Sequence, residues 1–179
     1  MAIKAIDHQE SLHGCLSAYR HQEDLTRRLD NLEGEVFSQE LVNEIVLWKV
    51  NRYAGLSPEI LSAIDGLAPI APGDHRQAGQ VLEALLGVRG VDLAMASTLL
   101  RFRNPHAFQI IDRHAYRALS GERLRLYPET PLERKLELYF GYLDALREFA
   151  QATGIAFESL DRLLYQFDKE KNGRLDEGA

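Results

Sequence analysis

The sequence predicts an all-α protein, and three observations carry that prediction. Helix-start signals recur along the chain, apolar residues recur at helical spacing, and no run of alternating β-branched residues is bounded by turns. With 179 residues, the chain is long enough to bury one sizeable core, so residues 1–179 are expected to form a single all-α domain.

The elements follow in order. Leu41, Ile45 and Trp48, with Leu47, make the first apolar stripe. Ser57-Pro58-Glu59 places a capping side chain before a proline at the first helical position. Residues 66–74, with Gly66, Pro69, Pro72 and Gly73, read as a loop. Asp74 is expected to cap a helix running to about Leu86. From Val88 to Ala96 the pattern is two helices around a tight turn at Gly90, and Phe108 to His114 is a loop ending in one carboxylate, Asp112. Thr130-Pro131-Leu132-Glu133 combines a cap, a first-turn proline and a glutamate three residues after the cap, so it should open the longest helix. Gly154 is placed to stop that helix. Leu160, Leu163, Leu164 and Phe167 form a second stripe near the C-terminus.

Composition narrows the class. A hydrophobic content of 45% with 27% charged residues is ordinary for a soluble globular chain. No apolar run approaches the roughly 18 residues that a membrane span needs, so no membrane partner is expected. Residues 1–35 are polar and mixed, unlike a leader with charged and then apolar parts. A lone cysteine, Cys15, can form no internal disulfide and cannot alone hold zinc or an iron–sulfur cluster. A reducing cytoplasm is the expected setting.

The net charge of −6 disfavours nucleic acid as a partner until its distribution is seen. Residues 1–100 and 126–179 are both acidic. Residues 101–125 carry six arginines (101, 103, 113, 117, 123 and 125) against Asp112 and Glu122, with His106 and His114 beside them. An acidic body with one basic segment can dock phosphates there. The alternative is that these arginines pair with acidic side chains elsewhere in the fold.

The basic segment overlaps the most informative stretch, Val88 to Arg117. The unpaired N–H groups of a helix start can hold a phosphate. A carboxylate fixed nearby can then act on the sugar or base attached to it. Val88-Arg89-Gly90-Val91-Asp92-Leu93-Ala94-Met95-Ala96 followed by Ile110-Ile111-Asp112-Arg113-His114 resembles the helix-hairpin-helix DNA glycosylase superfamily. Gly90 and Val91 match the first two hairpin positions and Ala96 the small helix residue after them. Ile111 to His114 matches the hydrophobic-Asp-x-His element, and the spacing from Ala96 to Asp112 fits. The likeness is specific over about 88–117, weaker over Glu44 to Lys49, and elsewhere general.

The resemblance implies two helical lobes around a DNA-binding cleft, a central lobe over 35–125 and a second lobe from 1–34 with 130–179. It implies a duplex carrying a modified base as partner, and base excision by hydrolysis of the N-glycosidic bond. Asp112 would be the catalytic carboxylate, stabilising positive charge on the sugar and taking a proton from water. Arg89, Gly90, Val91, Arg101, Arg103, Arg113 and Arg117 would contact DNA, and Trp48, Tyr53 and Tyr116 would stack on the extruded base. Ala94 stands where bifunctional relatives carry a catalytic lysine, so water would be the nucleophile. No cofactor or metal is implied, since the four-cysteine cluster segment of some members is missing.

Each residue also has a plainer reading. Asp112 can simply cap the helix that begins at Arg113. Asp92 replaces the family's usual second glycine; it tolerates left-handed backbone and can cap the helix from Leu93, but its charge repels phosphate. His114, Trp48, Tyr53 and Tyr116 can be packing residues, and Lys49 a solvated one. The segment from Asp168 to Asp176 has the opening pattern of a calcium-binding loop, but its twelfth position is Ala179 rather than glutamate. The competing functional class is therefore a non-catalytic module that binds nucleic acid or protein on the same fold.

Overall fold

The computed structural model describes residues 22–32, 38–50, 54–127 and 129–173. These hold eight α-helices and no strand. The all-α expectation holds for these residues. The chain divides into two compact units at Tyr53–Ala54.

In the first unit, α1 (Glu23–Leu29) and α2 (Gln39–Val50) are neighbours. Leu25 and Leu41 are buried, and the indole N–H of Trp48 donates to Thr26 Oγ1 at 2.8 Å. Arg28 and Glu44 lie 3.8 Å apart across the pair. Leu47 is largely exposed, so the apolar stripe of α2 is narrower than its sequence suggests.

The second unit contains α3 (Pro58–Asp65), α4 (Gly79–Leu86), α5 (Leu93–Arg103), α6 (Arg113–Ser120), α7 (Leu132–Thr153) and α8 (Leu160–Lys171). Short 3-10 turns precede α4 at His75–Ala78 and α8 at Phe157–Ser159. One core runs from Leu67 to Leu164 and takes side chains from α4 to α8, with Leu82, Leu85, Leu100, Phe108, Ile111, Tyr139, Leu143, Leu146 and Leu160 fully buried.

Most helix ends follow their local chemistry. Ser57 accepts the Ile60 N–H, Asp92 accepts the Met95 N–H at 2.8 Å, and Asp112 accepts the Ala115 N–H at 2.7 Å. Gly154 ends α7 in the left-handed conformation that glycine adopts without strain.

Three expectations need correction. Asp74 makes no capping hydrogen bond, because the chain first turns through the 3-10 segment and α4 starts only at Gly79. α7 opens at Leu132 with Pro131 in the cap position; the Thr130 hydroxyl instead accepts the Tyr127 N–H at 3.0 Å. Phe167 is exposed, and α8 buries two carboxylates, Asp161 and Asp168, beside Leu160 and Leu164.

Those carboxylates explain how a charged stripe can face a core. Arg117 Nε and Nη2 donate to the two oxygens of Asp168 at 2.9 and 2.8 Å. Asn172 donates to Oδ1 at 2.7 Å, and His114 Nδ1 lies 2.7 Å from Oδ2. Asp161 pairs with the buried Arg101 at 3.3 Å. The buried charge of Asp168 is tolerated because it is paired and hydrogen-bonded; Arg101 and Asp161 form a close ion pair in which the facing Nε and Oδ2 make no hydrogen bond. The Arg117 hydrogen bonds, joined by those of Asn172 and His114, hold the Asp168 carboxyl well below the usual carboxylate range.

Asp168→Ala should therefore cost about 3–5 kcal/mol, because it removes the carboxylate that neutralises the largely buried Arg117. The pH dependence has a definite sign. A lowered folded-state pKa stabilises the fold above the ordinary carboxylate value of about 3.9, and that contribution is lost as pH falls below it. Urea unfolding at a series of pH values should show a shallower loss of stability for Asp168→Asn than for wild type between about pH 5 and 2. An acid slope unchanged by Asp168→Asn would show that the clamp is not the acid-sensitive element.

Candidate active site

The turn and the carboxylate singled out in the sequence meet in one place. A cavity of about 720 Å³ is lined by Gly90, Val91, Asp92, Leu93 and Ala94 from the α4–α5 hairpin and by Ile111, Asp112 and Arg113 from the start of α6. Leu86, Leu124, Leu126, Tyr127 and Lys135 complete its wall.

The hairpin needs its glycine. Gly90 has φ of +86°, a conformation that costs L side chains about 1–2 kcal/mol. Val91 is buried, and its N–H is spent on the Val88 carbonyl at 3.0 Å. Asp92 is extended, with φ of −90°, so the left-handed tolerance of aspartate is not used; its role here is the cap. Arg89 is exposed beside the turn and does not line the cavity.

Asp112 is held from several directions. The residue before it, Ile111, is fully buried, and its N–H donates to Ser97 Oγ of α5 at 3.2 Å. Two tyrosines one turn apart on α7 take the preceding carbonyls. Tyr139 Oη donates to Gln109 O at 3.1 Å, and Tyr142 Oη donates to Ile110 O at 3.0 Å. Burial pushes both phenols up, and the charge of Asp112 adds to the effect at Tyr142. Both therefore stay protonated donors at neutral pH. Asn104 anchors the start of the same segment. Its Nδ2 donates to the carbonyls of Leu67, Ala68 and Ile70, and its Oδ1 accepts from the N–H groups of His106 and Ala107. Asp112 Oδ1 is used by the cap, and Oδ2 takes no hydrogen bond among the described residues.

The expected DNA-contacting arginines fall into two groups. Arg101 is buried on Asp161 and also donates to Glu158 O at 3.1 Å. Arg103 is bound to the Asp65 carbonyl, at 3.3 Å through Nε and 3.1 Å through Nη2. Arg117 is the partner of Asp168. These three tie helices together, which is the alternative the sequence left open. Arg113 is exposed and lines the cavity.

A second, more polar cavity of about 530 Å³ shares Leu126 with the first. Tyr116, Glu122, Arg123, Arg125, Arg134 and Leu138 line it. Of the three aromatic candidates, Tyr116 sits here, with its ring 6.2 Å from that of Tyr142. Trp48 is half-buried in the first unit, and Tyr53 lies outside the described residues. His114 stands edge-on to Tyr165 at 5.0 Å and faces Asp168, so its role is structural.

Sequence reasoning missed Ser97, Asn104, Tyr139 and Tyr142. The two tyrosines do carry a signal, because their three-residue spacing puts both hydroxyls on one face of the longest helix. No group of three or more His, Cys, Asp or Glu side chains among the described residues could hold a metal ion. No described helix is long and apolar enough to cross a membrane.

No family model, curated protein or solved structure matches this chain.

Tyr142→Phe should cost about 1–3 kcal/mol, the usual penalty for leaving a buried carbonyl unsatisfied. Chemical denaturation reads this directly. A variant as stable as wild type would show that the tyrosine does not hold the 109–111 segment.

Proposed function

We propose that this chain is a monofunctional DNA glycosylase, which releases a modified base by hydrolysing its N-glycosidic bond at Asp112. The observation that carries this reading is the shared cavity: a glycine turn, a carboxylate and the short side chain of Ala94 line one open space. Such a space can receive an extruded base and its sugar.

In the proposed reaction, the C1′–N bond breaks and positive charge grows on the sugar, as in glycoside hydrolysis. Asp112 stabilises that charge. The oxygen of a water molecule bonds to C1′ as the C1′–N bond breaks with its electron pair on the base nitrogen; Asp112 accepts one proton of that water and releases it through solvent to the departing base. Ala94 offers no amine, so no Schiff base forms and the product is an abasic site. Arg113 and Lys135, also on the cavity wall, would face the phosphates flanking the target.

One set of observations favours a second reading, a non-catalytic binding module on the same fold. Arg101, Arg103 and Arg117 are spent on internal partners, Asp92 puts a negative charge at the turn, and Asp112 already serves as a cap.

Asp112→Asn separates the two. Asparagine caps a helix about as well as aspartate, so the fold should survive. Losing the charge should slow base release by about 10²–10³-fold, a common cost for one preorganised electrostatic group. The assay is a panel of duplexes carrying modified bases, followed by alkaline cleavage at abasic sites. Base release at the wild-type rate in Asp112→Asn would remove Asp112 from the chemistry. No release by wild type on any duplex would make the binding module the better reading.

A further inference from the structure

His75 is a buried titratable side chain that the Asp112 site does not use. It opens the 3-10 turn His75–Ala78, which leads into α4, and its side chain is only 1% exposed. The ring packs against Phe140 of α7, with centroids 5.8 Å apart. Asp144, four residues further along α7, brings Oδ1 to 3.2 Å from Nε2, without hydrogen-bond geometry. Nδ1 has no hydrogen-bond partner among the described residues.

Such a seat suits a neutral imidazole and not an imidazolium. The charged ring carries two N–H donors, and here Nδ1 meets no acceptor. Asp144 is a poor counter-charge, because it is nearly half exposed and is shared with Arg76. Arg147 adds a positive charge from α7; it donates to His106 O at 2.9 Å, and its guanidinium lies over the Phe157 ring at 4.1 Å. Asp74 and Glu83, the other charged residues flanking this turn and on α4, are exposed. Burial outweighs the attraction of Asp144 and, with the charges of Arg147 and Arg76, holds the imidazole below the ordinary histidine range.

The turn is also the near end of a short lever. α4 has eight residues, no side-chain cap and little stability of its own. It runs from this turn to the Asp112 cavity, where Leu86 lines the wall.

We propose that His75 is an acid-released latch: on taking a proton it leaves its seat against Phe140 and frees the turn His75–Ala78 and α4 from α7, loosening one wall of the Asp112 cavity. The latch depends on the packing of this turn and not on the reaction at Asp112. The sign follows from the seat. The open form has the ordinary histidine pKa of about 6.5 and the closed form a lower one, so opening is favoured as pH falls below about 6.5. One proton can raise the opening equilibrium by at most about tenfold per pH unit. The Asp168 carboxylate keeps its charge over this range, so α6 and α8 stay clamped.

The test uses the full chain and His75→Leu, which fills the seat with an uncharged side chain. Hydrogen–deuterium exchange is followed from about pH 7.5 to 5 and corrected for the intrinsic effect of pH. In wild type, residues 75–86 should lose protection below about pH 6.5, by up to about tenfold per pH unit, while 113–120 and 160–171 keep theirs. In His75→Leu the protection of 75–86 should not depend on pH. Unchanged protection in wild type, the same loss in His75→Leu, or loss in all helices together overturns the latch. If His75→Leu does not fold, the titration of the His75 ring followed by NMR in wild type decides. A midpoint below about 6.5 supports the latch, and one at or above that value overturns it.

Discussion

The second unit depends on a buried carboxylate. Asp168 has no exposure, and its charge is matched by the two-point grip of Arg117, the amide of Asn172 and the ring of His114. This clamp joins α8 to α6. The second helix is only eight residues long, which makes it about 12 Å from end to end. Asp112 caps its N-terminus, and Arg117 lies in its last turn. Fixing Arg117 therefore fixes the axis on which Asp112 stands. A helix this short has little stability of its own. Its position comes from the clamp and from the burial of Ile111 and Ala115.

The segment entering α6 is held as firmly. Gln109, Ile110 and Ile111 form no regular structure, so their backbone groups have no ladder to join. Buried backbone groups need partners. Tyr139, Tyr142 and Ser97 provide them from two different helices. Raised phenol pKa values fit this role: a tyrosine that keeps its proton is a dependable donor and a poor acid. These tyrosines hold the segment that carries Asp112.

The legibility of the sequence followed the range of each interaction. The caps at Ser57, Asp92 and Asp112 and the glycine stop at Gly154 could be read, because cap and helix are adjacent in the chain. Even there, competition misled: Thr130 looked like a cap, but its hydroxyl found the Tyr127 amide. The arginines of 101–125 could not be sorted, because their partners are distant. Arg103 bonds a carbonyl 38 residues away, and Arg117 a carboxylate 51 residues away. The error at Phe167 has the same origin. Hydrophobic spacing predicts an apolar fourth position, and only the presence of Arg117 lets Asp168 take it. The joining of Gly90 and Asp112 was legible as a pattern, but Ser97 and Asn104, which hold the connecting loop, look like ordinary polar residues until their partners are seen.

Asp112 can serve as cap and as reactive carboxylate because a carboxylate has two oxygens. The cap uses Oδ1 at 2.7 Å and thereby locks the rotamer. Oδ2 then belongs to a group that needs no reordering before it meets a developing cation. Such preorganisation is what makes an electrostatic group effective. The cap also explains why the residue type is restricted. Asparagine would preserve the geometry and lose the charge. Glutamate would keep the charge, but its longer side chain would give up the cap and with it the fixed orientation. Within α6, only aspartate satisfies the backbone and places a fixed negative charge on the cavity wall. Structure and proposed chemistry therefore select the same side chain at this position.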